Sequence, residues 1–308
     1  MLFTTVSFAQ ATNDTSHSSA LVVAARVNAD VVYRSEVERE YERVFKNRLV
    51  DKDAELILRA QTLQQLVDRR LVLQFLSRKQ FAPSKHDLSQ AFDTVTQRLA
   101  LRELTLAEFL KRANMQQNEF LRALEWHIAW QSYLDTYLTV DNLKTYFSDH
   151  QRDFDGTQLH LAQILFRVSP QEPDNLSKAI EQATTLRHAI IREEIDFPTA
   201  ARKYSQSPSA KNGGDIGTIA RRDPMPEVFS RPAFALDVDE ISQPIVSPFG
   251  VHLIHCLEIQ PGGKPWDEVI ETLVPAVTTY LFEWIADQGR GTAKISFPED
   301  ISTKRSDP

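Results

Sequence analysis

Cysteine is nearly absent: Cys256 is the only one in 308 residues. That excludes an intrachain disulfide framework and a Cys-rich zinc site. Glycine is scarce as well, at 9 residues, so collagen-like and Gly-rich disordered classes are excluded. No run of 18 apolar residues occurs, and no ordinary membrane span is expected. Positive charge is not in excess: 35 Lys and Arg stand against 42 Asp and Glu, a net charge of -7 with the signs interspersed. A basic nucleic-acid binder is disfavoured on that ground. What is present, 42% hydrophobic and 25% charged residues, is ordinary for a globular protein, and the length suggests about two domains.

The first residues, MLFTTVSFAQA, are partly apolar and end Ala9-Gln10-Ala11, the small-x-small pattern of a secretory cleavage site, without a positively charged start. The polar run TNDTSHSS follows. Residues 1–24 are therefore expected to be a signal remnant and a disordered N-terminus.

The next stretch reads as helical. Ala25 to Val32 forms a short extended pair around an Asn-Ala-Asp turn, and Ser35-Glu36-Val37-Glu38 is spaced as a capping box. Val37, Tyr41, Val44 and Phe45 recur at helical spacing, and a second helix is expected over about 53–80. Leu88, Phe92, Val95 and Leu99 mark a third. Thr105 and Glu108 form another capping box, and Phe120 to Leu138 suggests a long helix. A further amphipathic segment covers 141–150. No Gly interrupts residues 25–155, which favours continuous helices.

The texture changes after Asp155-Gly156. Leu159 to Phe166 reads as a strand with two mostly apolar faces. Two helices (about 173–194 and 197–204), a Gly-rich turn into a short strand (Gly213–Gly217), a short helix (Pro226–Ala235) and two closing strands (Ile241–Val246, Val251–Ile259) follow. A last helix is expected from Trp266 to about Ala286. We expect this helix to pack back on the helices of 35–138 because it is too amphipathic to stand alone.

The stretch 197–217, FPTAARKYSQSPSAKNGGDIG, resembles a signature of the parvulin family of peptidyl-prolyl cis/trans isomerases. So do Met225-Pro-Glu-Val-Phe229 with Ala233-Phe-Ala-Leu236, Glu240-Ile-Ser-Gln-Pro-Ile-Val246, and Phe249-Gly-Val-His-Leu-Ile254. These blocks cover about a third of the chain in the family's order. The flanks are similar to the exported SurA and PrsA foldase-chaperones, and the layout is also similar to NifM, a cytoplasmic maturation parvulin.

The resemblance implies an α+β protein: an all-helical N-terminal chaperone-like lobe (25–152), a parvulin domain with a small antiparallel sheet flanked by helices (153–261), a C-terminal helix returning to the first lobe (262–292) and a loose tail (293–308). It implies a peptidyl-prolyl isomerase and folding chaperone of the periplasm. Its partners would be unfolded or nascent polypeptides with Xaa-Pro bonds, without cofactor, metal, nucleic acid or membrane span. The alternatives are a non-catalytic holdase with a degenerate parvulin domain and a cytoplasmic NifM-like maturation factor.

Prolyl rotation breaks no covalent bond and has a barrier of about 18–20 kcal/mol. A catalyst needs an apolar cup for the pyrrolidine ring and a polar wall that favours the twisted amide. Met225 and Phe229, four apart on a short helix and hence on one face, form the candidate cup; the resemblance gives both that role and adds Ile216, and Phe249 either lines the pocket or staples the turn. It also makes His252 the active-site histidine and Ser247 an extension of its network. Two positions depart from the family: Gln163 stands where active members carry His, and Ser207 where they carry Asp or Cys. Both are taken as candidate catalytic positions able to hydrogen-bond without charge. His160 is an odd offset from Gln163 and faces away; His255, three residues from His252, does likewise and makes no metal pair. Cys256 reads as a small buried hydrophobe. The loop Arg167-Val-Ser-Pro-Gln-Glu-Pro173 lacks the basic cluster of phosphate-selective members.

Overall fold

The computed structural model describes residues 22–45, 52–168 and 173–298. The expected signal remnant and the loop 169–172 lie outside the described residues, apart from Val22–Ala24. The chain divides into two compact units, Met1–Thr139 with Thr278–Pro308, and Val140–Val277. The boundaries therefore fall at 139/140 and inside the last helix, rather than at 152/153 and 261/262.

The first unit opens with β1 (Val23–Val27) and β2 (Asp30–Tyr33), a hairpin whose turn places Asn28 at φ 58, a left-handed conformation that Asn tolerates. Then come α1 (Arg34–Phe45), α2 (Lys52–Arg78), α3 (Lys85–Ala100), α4 (Leu106–Arg112) and α5 (Gln117–Tyr137). Helix α4 begins with the box expected: Thr105 accepts from Glu108 N–H and Glu108 reaches back to Thr105. Ser84 and Asp87 make a second box at α3. The expected box at Ser35/Glu38 is not formed. Helix α1 starts one residue earlier, Glu36 accepts from Tyr33 N–H, Glu38 pairs with Arg59, and buried Ser35 donates to Glu119.

In the second unit, α6 (Val140–Asp149) is followed by β3 (Gln158–Arg167), α7 (Pro173–Ile191), α8 (Phe197–Tyr204), β4 (Asp215–Ala220), α9 (Glu227–Phe234), β5 (Ile245–Ser247) and β6 (Gly250–Gln260). Helix α6 belongs here because Tyr146 and Phe147 face Phe154 at 6.1 and 6.5 Å. The sheet is antiparallel in the order β4-β3-β6-β5. Its even-numbered β3 residues Ala162, Ile164 and Phe166 pack under α7 and α8. The odd-numbered Leu159 and Leu161 pack with Phe229, Ala233 and Phe234 of α9. The first closing strand is shorter than expected: β5 holds only Ile245–Ser247, and Ile241 makes a single bridge to His255.

Helix α10 (Ile270–Arg290) follows a short 3-10 turn, Trp266–Val269, and the division falls within it. By length and composition alone, Trp266–Arg290 is apolar enough to cross a membrane, an exception to the expectation from unbroken apolar runs. Its threonines, tyrosine and carboxylates interrupt the run without lowering the average enough. In the fold, Ile285 and Ala286 are buried with Val72, Leu76 and Tyr133, and Phe282 stands edge-on to Trp126 and Trp130 at 5.9 and 6.0 Å. Arg290 forks onto Asp68, and a Cβ on Gly289 would lie 3.0 Å from Leu71 Cβ.

After α10 the chain forms β7 (Ile295–Ser296), which pairs with β1 through Val27 and Arg26. The start of the expected loose tail is therefore ordered, and the first lobe carries a three-stranded sheet, β2-β1-β7, beside its helices. Two residues of strand were too short to read from alternation. They are fixed by Asn28, whose N–H donates to Lys294 O and whose Oδ1 accepts from Lys294 N–H.

Candidate functional site

The site lies on the α9 face of the second sheet. Gln163 of β3 pairs across to Ile254 and Leu165 pairs to His252, so Gln163 and His252 are diagonal neighbours on one face. On the other side His252 pairs with Ile245 of β5, which brings Ser247 to the same ring. The extended turn after α8 delivers Ser207: Gln206 N–H donates to Leu165 O, and Ser205 Oγ accepts from Leu165 N–H. Gly214 closes against β3, its carbonyl accepting from Gln163 N–H at 2.8 Å. At φ +87, with Gln163 O 2.6 Å from where a Cβ would sit, that position admits only glycine without displacement.

The polar side chains form one chain of hydrogen bonds. Gln163 Nε2 donates to Ser207 Oγ at 3.4 Å, and Gln163 Oε1 faces His252 Nδ1 at 3.0 Å. Ser247 Oγ faces His252 Nε2 at 2.6 Å and accepts from Phe249 N–H at 3.0 Å. Ser209 extends the far end, 3.1 Å from Ser207 Oγ. Gln163, Ser207 and His252 are all buried. Burial alone pushes the His252 pKa down from 6.5 to about 4, so the imidazole is neutral at pH 7.

The apolar side is less uniform. Phe229 stands edge-on to His252 with ring centroids 5.5 Å apart, and it is only 1% exposed. It is the floor beneath the histidine rather than an open wall. Ile216 and Met225 pack against the same cluster and are partly exposed. Phe249, at the β5–β6 turn, is 64% exposed. Met225 does not share a helix with Phe229. Helix α9 starts at Glu227 behind an N-cap Pro226 with extended ψ 156, because Pro disfavours the helical region for the residue before it. Both residues still reach the α9 face of the sheet.

Other candidates are placed apart. His160 bonds Asp215 at 2.9 Å. His255 lies on the opposite face from His252, as the odd spacing on a strand requires, against Phe197 at 5.0 Å. Burial lowers its pKa and raises that of Cys256, which is fully buried among Leu159, Leu161 and Ile254. Among the described residues, no group of three or more His, Cys, Asp or Glu is arranged to hold a metal ion.

Two contributors escaped the sequence reading. Ser209 is one of many serines, and only its spacing of two from Ser207 hinted at a shared hydroxyl pair. Arg221 forks onto Glu227 at 2.7 Å through both terminal nitrogens and reaches Asp153 at 2.7 Å and Ser230 Oγ at 3.1 Å. The acidic partners hold its pKa above the usual value. It ties the start of α9, and hence the Phe229 backbone, to the segment before β3.

Two family models match parts of the chain. Residues 163–258 match the PPIC-type PPIASE domain, a rotamase family, and residues 1–134 match the SurA-like N-terminal domain. The Chaperone SurA of Polaromonas sp. (strain JS666) is 41% identical over 102 residues, 33% of this chain and 21% of that protein. The Chaperone SurA of Xanthomonas campestris pv. campestris (strain 8004) is 26% identical over 266 residues, 81% of this chain and 56% of its own. The chain thus spans about half the length of the longer-matching relatives. Among solved structures, PrsA from Bacillus anthracis aligns with a TM-score of 0.37 and 16% identity, covering 74% of this chain and 95% of that one.

Proposed function

We propose that this chain, which carries a PpiC-type parvulin domain at 163–258 and a SurA-like N-terminal domain at 1–134, is a folding factor that catalyses Xaa-Pro rotation in unfolded client polypeptides. The observation that carries the reading is the uncharged chain Ser207–Gln163–His252–Ser247, buried except at half-buried Ser247 and laid against Phe229. Rotation about the prolyl bond passes through a twisted amide that has lost resonance. A desolvated set of hydrogen-bonding groups favours that less polar state over either planar form, because the groups need not reorganise during the twist. Ile216, Met225 and Phe249 supply apolar surface for the prolyl ring, and Phe229 supports His252 from below. We place the protein in the periplasm, with extended client segments as partners. The SurA-like N-terminal match supports that placement.

The test is cis-to-trans isomerisation of short Xaa-Pro peptides by the full chain. Met225→Ala and Met225→Ala/Phe229→Ala serve as controls whose folding is checked by circular dichroism. A rate enhancement that falls at least tenfold in the single variant supports the reading. A folded protein without enhancement overturns it. If that protein suppressed aggregation of an unfolded client, the holdase reading would take its place. Fractionation of the producing cells tests location, and recovery in the cytoplasm would favour the maturation-factor alternative.

A further inference from the structure

We propose that Gln163 is a positioning residue whose carboxamide locks His252 as the Nδ1–H tautomer, making the hydrogen-bond chain run in one direction. Ser207 Oγ accepts from Gln163 Nε2 and from Ser209 N–H at 3.3 Å. Both its lone pairs are then used, and its own proton goes to Ser209 Oγ, 3.1 Å away. With Nε2 of Gln163 turned to Ser207, the atom facing His252 is Oε1, which only accepts. His252 Nδ1 must therefore carry the proton. A neutral imidazole then has a bare Nε2, and at 2.6 Å the Ser247 hydroxyl donates to it while accepting from Phe249 N–H. With the amide turned this way, every group in the chain is satisfied.

A histidine at position 163 would not impose this. Imidazole exchanges donor and acceptor roles by moving a proton, and two facing imidazoles pass a proton between them; a carboxamide has no second tautomer of comparable energy. Among the described residues, the surroundings of the His252 ring add no charge that would bias it. Gln163 and Leu165 face it from β3, Ile245 and Ser247 from β5, and Phe229 from α9. On its own strand His255 points to the opposite face, and Cys256 is buried as a neutral thiol. The consequence for catalysis rests on the function proposed above. The wall beneath the substrate amide holds no group that titrates near neutrality, so the isomerisation rate is flat through the neutral pH range.

The decisive experiment reads the tautomer and not the activity. Long-range proton–nitrogen NMR of the full chain labelled at histidine nitrogens, with His252 assigned by its loss in His252→Asn, reports which ring nitrogen is protonated. The expected spectrum has His252 protonated at Nδ1 alone. A ring protonated at Nε2, or an exchanging mixture, overturns the proposal, because the reversed amide moves every proton in the chain by one place. Two variants separate the lock from the general fold. Gln163→Glu keeps an acceptor opposite Nδ1, so it retains the Nδ1–H form and moves the His252 titration upward. Gln163→Leu removes the acceptor and releases the single tautomer. A Gln163→Leu protein that folds and keeps Nδ1–H alone places the lock elsewhere and refutes the assignment. Should Gln163→Leu fail to fold, a Gln163→Glu protein whose His252 titration stays where it was refutes it equally. An inactive wild-type enzyme with the expected tautomer would instead refute the proposed function and leave the lock standing.

Discussion

Acidification from pH 7 to pH 5 should destabilise the second unit through His252. The imidazole titrates near 6.5 when the chain is unfolded and at about 4 when folded, because burial disfavours the charged ring. Between those values the unfolded chain takes up a proton that the folded one refuses, so stability falls with pH across that window and is level below it. At pH 7 little of the unfolded imidazole is protonated; at pH 5 nearly all of it is, while the folded ring is still mostly neutral. The loss between the two is about 2 kcal/mol, and about 3 kcal/mol once pH 4 is passed. His252 is 4% exposed, so solvent screening removes little of this. The assay is urea unfolding at pH 7, 6 and 5, followed by amide NMR signals of β3 and β6, for the wild type and His252→Asn. Asparagine keeps hydrogen-bonding capacity without a titrating ring. The variant should be less stable at pH 7, and the gap should narrow by about 2 kcal/mol at pH 5, the other histidines cancelling in the difference. Parallel pH profiles for the two proteins, or an NMR titration of His252 near its unfolded value, would refute the claim that burial holds the ring neutral.

Three further outcomes are expected. Gly214→Ala should cost more than about 1 kcal/mol, because a left-handed residue acquires a side chain 2.6 Å from Gln163 O; the displaced amide should shift the His252 resonances, and unchanged spectra would contradict this. Truncation after Val277 should melt the first unit, since it strips Ile285 and Ile295 from its two clusters and burial of one such side chain is worth about 1.5–3 kcal/mol; helical content and melting temperature equal to the full chain would show that the return segment is dispensable. Arg221→Met should loosen α9 and speed amide exchange at Phe229 and Ser230, because Glu227, Asp153 and Ser230 lose their shared partner; unaltered exchange would mean the fork holds nothing in place.

The features legible from sequence were those whose causes lie within a few residues. The box at Thr105/Glu108 formed as spaced, and the order strand, two helices, strand, helix, two strands appears as β3-α7-α8-β4-α9-β5-β6. Met225 and Phe229 reach one face although the helix starts only at Glu227, after Pro226. The same local spacing misled at Ser35 and Glu38. There the choice was made by partners far along the chain: Glu119 for Ser35 and Arg59 for Glu38.

The sequence by itself determined the alternating faces of β3 and β6, the placement of His252 and His255 on opposite sides, and a helical first half without glycine. These follow from periods of two and 3.6 and from the backbone limits of each residue type. Only the tertiary structure decided that Gln163 meets Ser207 across 44 positions and His252 across 89, that Phe229 is closed beneath the ring, and that Ile295–Ser296 adds a strand to β1. Strand register and loop closure set those meetings, and the balance of hydrogen bonds inside the buried chain exists only once distant segments have displaced the water that would otherwise satisfy each group alone.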